Sequence, residues 1–289
     1  MKMWRSAQKE IGIAVCFLAP SAVGFFLFYV IPFGQSILYS FQSGPDREIW
    51  TFANYEALFR SASFLKAAGN TLRFTAMGVP LLIVASLGTA LFLHSRVFFR
   101  KWLRTAFVLP LVVPVASIVQ VWQIFFDWNG ALNVVLERFG MSRIDWMRSD
   151  WAIAVVVLIY IWKNIGYNVV LFLAGLQNIP DQYYEIANLE GAGRLRKLCS
   201  ITLIYLLPSM FLVILMSILN SFKVFRETYL VAGDYPHDSI YMLQHYINNM
   251  FASLEVEKLS AAACLMALCI LVLVFALHRV ERSFRSFME

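Results

Sequence analysis

Long uncharged stretches recur along the chain, and about 20 apolar residues suffice to cross a bilayer as a helix. Ile11–Pro45 contains no charged residue, and further uncharged runs cover Phe74–Leu93, Thr105–Phe126, Leu198–Phe222 and Leu259–Leu277. Trp151–Ile179 is equally apolar but is interrupted by Lys163 and Asn164. The pattern predicts six transmembrane helices, at about 11–40, 70–93, 105–127, 151–178, 198–222 and 259–279, in a single all-α membrane domain over residues 1–289. Lys2, Arg5 and Lys9 precede the first run as they would in a signal peptide. That run is too long and lacks a small-x-small cleavage site, so it is expected to remain as an anchor.

Between the spans, Phe52–Ala67 places Phe52, Tyr55, Leu58, Phe59, Ala62 and Leu65 at helical spacing, the mark of a helix lying on the outer membrane surface. The loops Asp127–Asp150 and Lys223–Lys258 are long enough to hold short helices and to meet a partner. The segment Asn178–Pro208 has a different character. Asn178 and Pro180 suit a helix start and Asp181 suits the positive end of its dipole. Ile186, Ala187 and Leu189 then give an apolar side, while Glu185 and Glu190 stay available to cations. Gly191-Ala192-Gly193 relaxes the backbone before Arg194, Arg196 and Lys197, so two small helices hinged on glycine are expected over 180–199.

Composition supports a membrane protein: 60% of the 289 residues are hydrophobic and only 15% are charged, against about 25% charged in soluble domains. With both termini inside, residues 1–10, 94–104, 180–197 and 278–289 hold 13 Lys+Arg against 6 Asp+Glu, and the rest of the chain holds 11 against 12. The positive-inside rule thus puts both termini in the cytoplasm and accounts for the net charge of +6 without a nucleic-acid partner. Cys16, Cys199, Cys264 and Cys269 fall within or beside apolar runs. They form neither a disulfide framework nor a zinc pattern and read as small packing residues.

Span four carries the polar chemistry. Trp162, Asn164, Tyr167 and Asn168 combine amide hydrogen-bonding groups with aromatic faces, as a sugar's hydroxyls and ring faces require, and Asn164 and Asn168 share a helix face. Asn and aromatic residues also hold membrane helices together, so both readings stand. Lys163 either faces the path or pairs with an acid on a neighbouring helix, Asn220 and Lys223 face the path or the external loop, and Arg73 snorkels or forms a pair. Prolines 20, 32, 80, 110, 114 and 208 lie in or at the ends of spans, where they kink helices. No phosphate-cradling G-x-x-x-x-G-K-[ST] loop, HExxH, GxSxG or zinc spacing occurs, so neither catalysis nor a metal or cofactor in this chain is expected.

The stretch EIANLEGAGRLRKLCSITL resembles the cytoplasmic signature of binding-protein-dependent ABC importer permeases, E-A-A, three residues, G, nine residues, I-x-L-P. Glu185, Ala187, Gly191, Ile201 and Leu203 sit at that spacing; Ile186 replaces the first Ala, and Ile204 stands where Pro is usual, with Pro208 one turn later. NTLRFT (Asn70–Thr75), LPLVVPVASIVQVW (Leu109–Trp122), DWNGALNVVLERFG (Asp127–Gly140), AGLQNIP (Ala174–Pro180) and SFKVFRETYLVAGDYP (Ser221–Pro236) extend the likeness to the carbohydrate-uptake branch, the maltose and glycerol-phosphate type permeases. The resemblance implies a type I ABC importer permease fold in a prokaryotic cell membrane. It also implies a second permease subunit, two ATPase subunits that bind ATP and Mg, and an extracellular solute-binding protein. Glu185, Ala187, Glu190, Gly191, Ala192 and Arg194 would form the coupling segment that docks on the ATPase. Cargo would be a sugar or oligosaccharide moved by alternating access. A glycerol phosphodiester or peptide cargo is the alternative within the class, and a membrane enzyme acting on lipid-linked sugars is the rival outside it.

Overall fold

The computed structural model describes residues 2–43, 49–95 and 100–285, with side chains over 14–43, 49–95 and 102–284. The side chains of Lys2, Arg5 and Lys9, and residues 96–99 and 286–289, which carry part of the expected cytoplasmic charge, lie outside the described residues. The chain divides into two compact units, Met1–Ser61 with Met250–Leu268, and Ala62–Asn249 with Cys269–Glu289.

In the first unit, α1 (Lys2–Phe25), a π-helical turn (Phe26–Val30) and α2 (Ile31–Ser40) make the first span. Pro32 sits in the first turn of α2; its ring clashes with the carbonyl four residues back, so the backbone widens into the π turn just before it. No residue of the apolar window in Ala14–Ser40 is buried, so this span is apolar all round. A two-rung antiparallel ladder, β1 (Gln42–Ser43) with β2 (Ile49–Trp50), follows and pairs Gln42 with Trp50. Then α3 (Ala53–Arg60) folds back onto the end of the span. Asn54 Nδ2 donates to the carbonyls of Ser40 (3.0 Å) and Gln42 (2.8 Å), and the Tyr55 hydroxyl donates to Ser40 Oγ (2.8 Å). The Asn54–Ser40 bond satisfies a carbonyl that the end of α2 leaves free, and the other two tie α3 to the adjoining turn.

The expected surface helix over Phe52–Ala67 is therefore divided: Ser61 is extended (φ −77°, ψ 114°), and the second span begins at once as α4 (Ala62–His94). Of its expected apolar face Leu58 is buried, whereas Phe52, Phe59 and Leu65 are exposed. In the second unit the third span is also broken. α5 (Arg100–Val112) and α6 (Val115–Phe126) are separated at Val113-Pro114, and the stretches Trp102–Val112 and Val115–Arg138 turn through 102°. Pro114 is extended (φ −57°, ψ 136°) and offers its carbonyl to the N–H groups of Ser117 (3.1 Å) and Ile118 (3.2 Å), so it opens a new helix instead of continuing the old one. The described chain thus has five helices long and apolar enough to span, plus this bent pair.

The unit is organised around α8 (Ala152–Gln177), which has the most deeply buried apolar window of the spans. α7 (Ala131–Arg138) precedes it, and it is followed by α9 (Asp181–Leu189), α10 (Arg194–Lys197), a π turn (Leu198–Thr202), α11 (Leu203–Phe222), α12 (Phe225–Ala232), α13 (Leu243–Ala252) and α14 (Val256–Arg285). One side of α8 joins α4 through Phe74, Leu82, Val156, Val157 and Tyr160. Another side joins α4 and α11 through Ala90, Leu93, Phe172, Leu173, Leu206 and Val213. Gly166 lets α5 come close: a Cβ there would lie 1.9 Å from the Phe107 carbonyl oxygen. Since that atom is backbone, only a shift of the helix would relieve the clash.

Gly166→Ala is expected to lower stability by about 1–3 kcal/mol, read as a reduced melting temperature in detergent. Gly88→Ala, at a glycine whose Cβ would meet nothing within 4 Å, is the control. Equal melting of the two variants would contradict the close approach. A second expectation concerns His245 in α13, fully buried with Nδ1 accepting the Met242 N–H (3.2 Å). Burial pulls its pKa from 6.5 to about 4. The unfolded segment takes up its proton first, so α13 is fully stable above about pH 6.5 and weakens as pH falls towards 4. Hydrogen exchange in α13 should accelerate over that window in the wild type and lose the dependence in His245→Phe.

Candidate functional site

Two regions hold the polar residues singled out in the sequence. The first lies among α8, α11 and α12. Asn164 is buried, its Nδ2 donating to the Tyr160 carbonyl one turn back (2.8 Å), while its Oδ1 accepts from Asn220 Nδ2 on α11 (3.2 Å). Tyr160 donates its hydroxyl to the Ser217 carbonyl (2.6 Å), and Asn168 Nδ2 donates to Ser217 Oγ (3.0 Å). A polar seam therefore runs along the α8–α11 contact, each amide partnered as burial in an apolar bundle requires.

Lys163, also on α8, ion-pairs with Glu227 in the first turn of α12. The carboxylate is 4% exposed, and it benefits from the positive end of α12 as well as from the ammonium. Of the two readings of Lys163, pairing with an acid on a neighbouring helix is met, and the residue faces an open space as well. A cavity of about 500 Å³ opens beside the pair, lined by Leu111, Tyr160, Lys163, Asn164, Tyr167, Met216, Asn220, Lys223, Val224, Arg226 and Glu227. Four of the residues assigned to a path, Asn164, Tyr167, Asn220 and Lys223, meet there. Trp162 and Asn168 are not in the lining: Trp162 stacks edge-on against Trp122 (5.8 Å between centroids), and Asn168 joins α8 to α11. On a helix a residue two positions from Asn164 points to another side, and Asn168 is one turn too deep. Arg226 and Glu227 were missed in the sequence, although a lysine in mid-span demands a counter-charge and Glu227 lies five residues beyond the fifth apolar run.

The second region is the hinged segment. Asn178 closes α8, its N–H bonding to the Gly175 carbonyl (3.1 Å), and does not cap α9. Pro180 takes the capping position instead, because a residue before proline is disfavoured in the helical region and Ile179 therefore cannot start the helix. Asp181 does open α9. Gly191 has φ +73°, and the N–H groups of Ala192 and Gly191 bond to the carbonyls of Ala187 (2.8 Å) and Asn188 (3.1 Å), the paired bonds of a Schellman terminus. The two arms are tied by Lys197 Nζ to Asn188 Oδ1 (2.7 Å) and by the Tyr184–Thr202 hydroxyl pair (2.8 Å). The chain then joins the fifth span through the π turn and not through a proline at position 204. Ala187 is buried and Ala192 half-buried, whereas Glu185, Glu190, Gly191 and Arg194 are exposed beside Ile186 (55%), Leu189 (89%) and Leu195 (77%). Exposed apolar side chains ringed by charges on a rigid hairpin suit a protein partner.

Among the described residues no three His, Cys, Asp or Glu are grouped to hold a metal ion. The sequence profile of the binding-protein-dependent transport system inner membrane component family matches residues 57–286. The sulfoquinovosyl glycerol transport system permease protein of Agrobacterium fabrum is 33% identical over 88% of this chain and 85% of its own length. An arabinooligosaccharides transport system permease protein of Bacillus subtilis is 32% identical over 74% and 70%. In structure, the chain superposes on a chain of the bacterial alginate ABC transporter, solved in complex with an alginate pentasaccharide-bound periplasmic protein, with a TM-score of 0.85 at 20% identity over 98% of each.

Removing one member of a buried ion pair leaves a charge without its partner. Glu227→Gln alone is expected to destabilise the protein by about 3 kcal/mol, and Lys163→Met with Glu227→Met to recover most of that loss. Thermal melts of the three forms in detergent check this, and a double variant as weak as the single one would refute the pairing.

Proposed function

The chain belongs to the family of binding-protein-dependent transport system inner membrane components, a multi-pass permease subunit of an importer whose ATPase is a separate polypeptide, and from that premise we propose that it carries a sugar or oligosaccharide. The observation that supports this cargo is the cavity of about 500 Å³ with Asn164, Asn220, Tyr160 and Tyr167 in its lining. Amides offer donors and acceptors to hydroxyl groups, and the half-buried Tyr167 ring offers an apolar face to a sugar ring, whereas Tyr160 is buried in the helix contact. The named activities of the two sequence relatives, sulfoquinovosyl glycerol and arabinooligosaccharide transport, point the same way.

In this reading the chain supplies one half of a pathway completed by a second permease, with two ATPase subunits holding ATP and Mg and a solute-binding protein outside. Both termini lie in the cytoplasm. The segment over 180–199 docks in a groove of the ATPase: Glu185 pairs with a basic group there, Ile186 and Leu189 enter the groove, and Glu190 and Arg194 flank it. Ala187 and Ala192 permit the close packing of the bend, and Gly191 makes it. A contact of this size and polarity is modest, as an interface that is remade in every cycle must be. Closure of the ATPases moves the segment, and the π turn and α11 pass the movement to the wall of the cavity that carries Asn220.

The test is ATP-dependent uptake of labelled oligosaccharide into proteoliposomes containing the assembled complex and its binding protein. Glu185→Ala and Gly191→Pro are each expected to cut uptake at least tenfold, about 1.4 kcal/mol or more in coupling, while the membrane subunits still co-purify. Uptake that is indifferent to both changes, or that persists without the ATPase, would remove the coupling role.

A further inference from the structure

The same cavity holds more positive charge than a neutral sugar requires. Its ionisable lining groups are Lys163, Lys223, Arg226 and Glu227, three cations and one carboxylate, a net +2 from this chain. The carboxylate is already engaged: Glu227 is buried against Lys163. Lys223 and Arg226 are exposed, and among the described residues no carboxylate forms an ion pair with either. They lie three residues apart where α11 ends and α12 begins, with Lys223 as the closing residue of α11. Two like charges facing one cavity repel each other, and the repulsion grows as water is excluded when the cavity closes on cargo. An oxyanion between them converts that repulsion into attraction. A guanidinium presents paired donors that match such a group, and an ammonium adds a point charge.

We propose that the cavity is built for a saccharide bearing an acidic group, a carboxylate, sulfonate or phosphate held by Lys223 and Arg226, while the amides and Tyr167 receive its neutral hydroxyls and a ring face. Glu227 has a separate task. By holding Lys163 it keeps the deepest cation from capturing the acidic group, so that cargo is retained near the junction of α11 and α12 and released as the cavity reopens. The assignment rests on the carbohydrate reading above and narrows it to acidic saccharides.

The complex and its binding protein, in proteoliposomes, are offered four labelled probes: trigalacturonate, a phosphorylated maltotriose, neutral maltotriose and a glycerophosphodiester. Acidic trisaccharide is expected to enter in preference to maltotriose. The ratio of the two rates should fall about tenfold or more in the Lys223→Gln/Arg226→Gln double variant and return in Lys223→Arg/Arg226→Lys, since removal of a charge partner is read in tenfold steps of this size. Which acidic trisaccharide enters separates the carboxylate from the phosphate. Because every variant works with the same binding protein, a change in the ratio belongs to the permease. Preference for maltotriose, or a ratio indifferent to the double variant, overturns the charge assignment and leaves carbohydrate import standing. Uptake of the glycerophosphodiester with no trisaccharide accepted overturns the carbohydrate reading and this proposal together.

Discussion

A lysine in the middle of an apolar helix imposes an order on everything near it. Lys163 is carried by the most buried span, and its charge is tolerable there only with a counter-charge in reach. Glu227 provides it from the first turn of α12, which follows α11 within one long span, Arg194–Ala232, and so lies beside α8. The same arrangement brings Asn220 against Asn164 and sets Lys223 and Arg226 at the rim of the cavity. The ion pair and the cavity lining are in this sense one structure: the pairing that makes the span stable also shapes the space beside it.

Helix packing in an apolar solvent supplies the second constraint. Lipid offers no hydrophobic drive between helices, so close contact relies on small residues and on shared hydrogen bonds. Gly166 admits the α5 backbone, and Ser217 serves both Tyr160 and Asn168. α8 consequently has different roles on different sides within five residues. Trp162 packs against Trp122, Lys163 and Asn164 reach the cavity, and Gly166 meets α5.

The hinged segment is a local device. Left-handed backbone at Gly191 allows two carbonyls at the end of α9 to be satisfied internally, and the Lys197–Asn188 bond fixes the arms. The bend is therefore rigid without a large core, and its apolar tip remains free for a partner.

Much of this was legible in the residues. Uncharged runs of spanning length announce themselves because a charged side chain is costly in hydrocarbon, they are helical because a bilayer tolerates no unpaired backbone, and Gly relieves the strain at a positive φ such as that of position 191. The helical nature of the chain, the glycine hinge, the motif of the family and the need of Lys163 for an acid were all determined locally. Which acid answers Lys163 was not, because Glu227 lies 64 positions away and only the packing of α12 on α8 brings it near. Nor was the break at Pro114, since a proline within a span kinks or ends a helix according to what its neighbours can satisfy. The division of span four between cavity and helix contact also belonged to the tertiary structure: Asn164 and Asn168 share one helical face, and the position of α11 along that face gave one to the cavity and the other to Ser217.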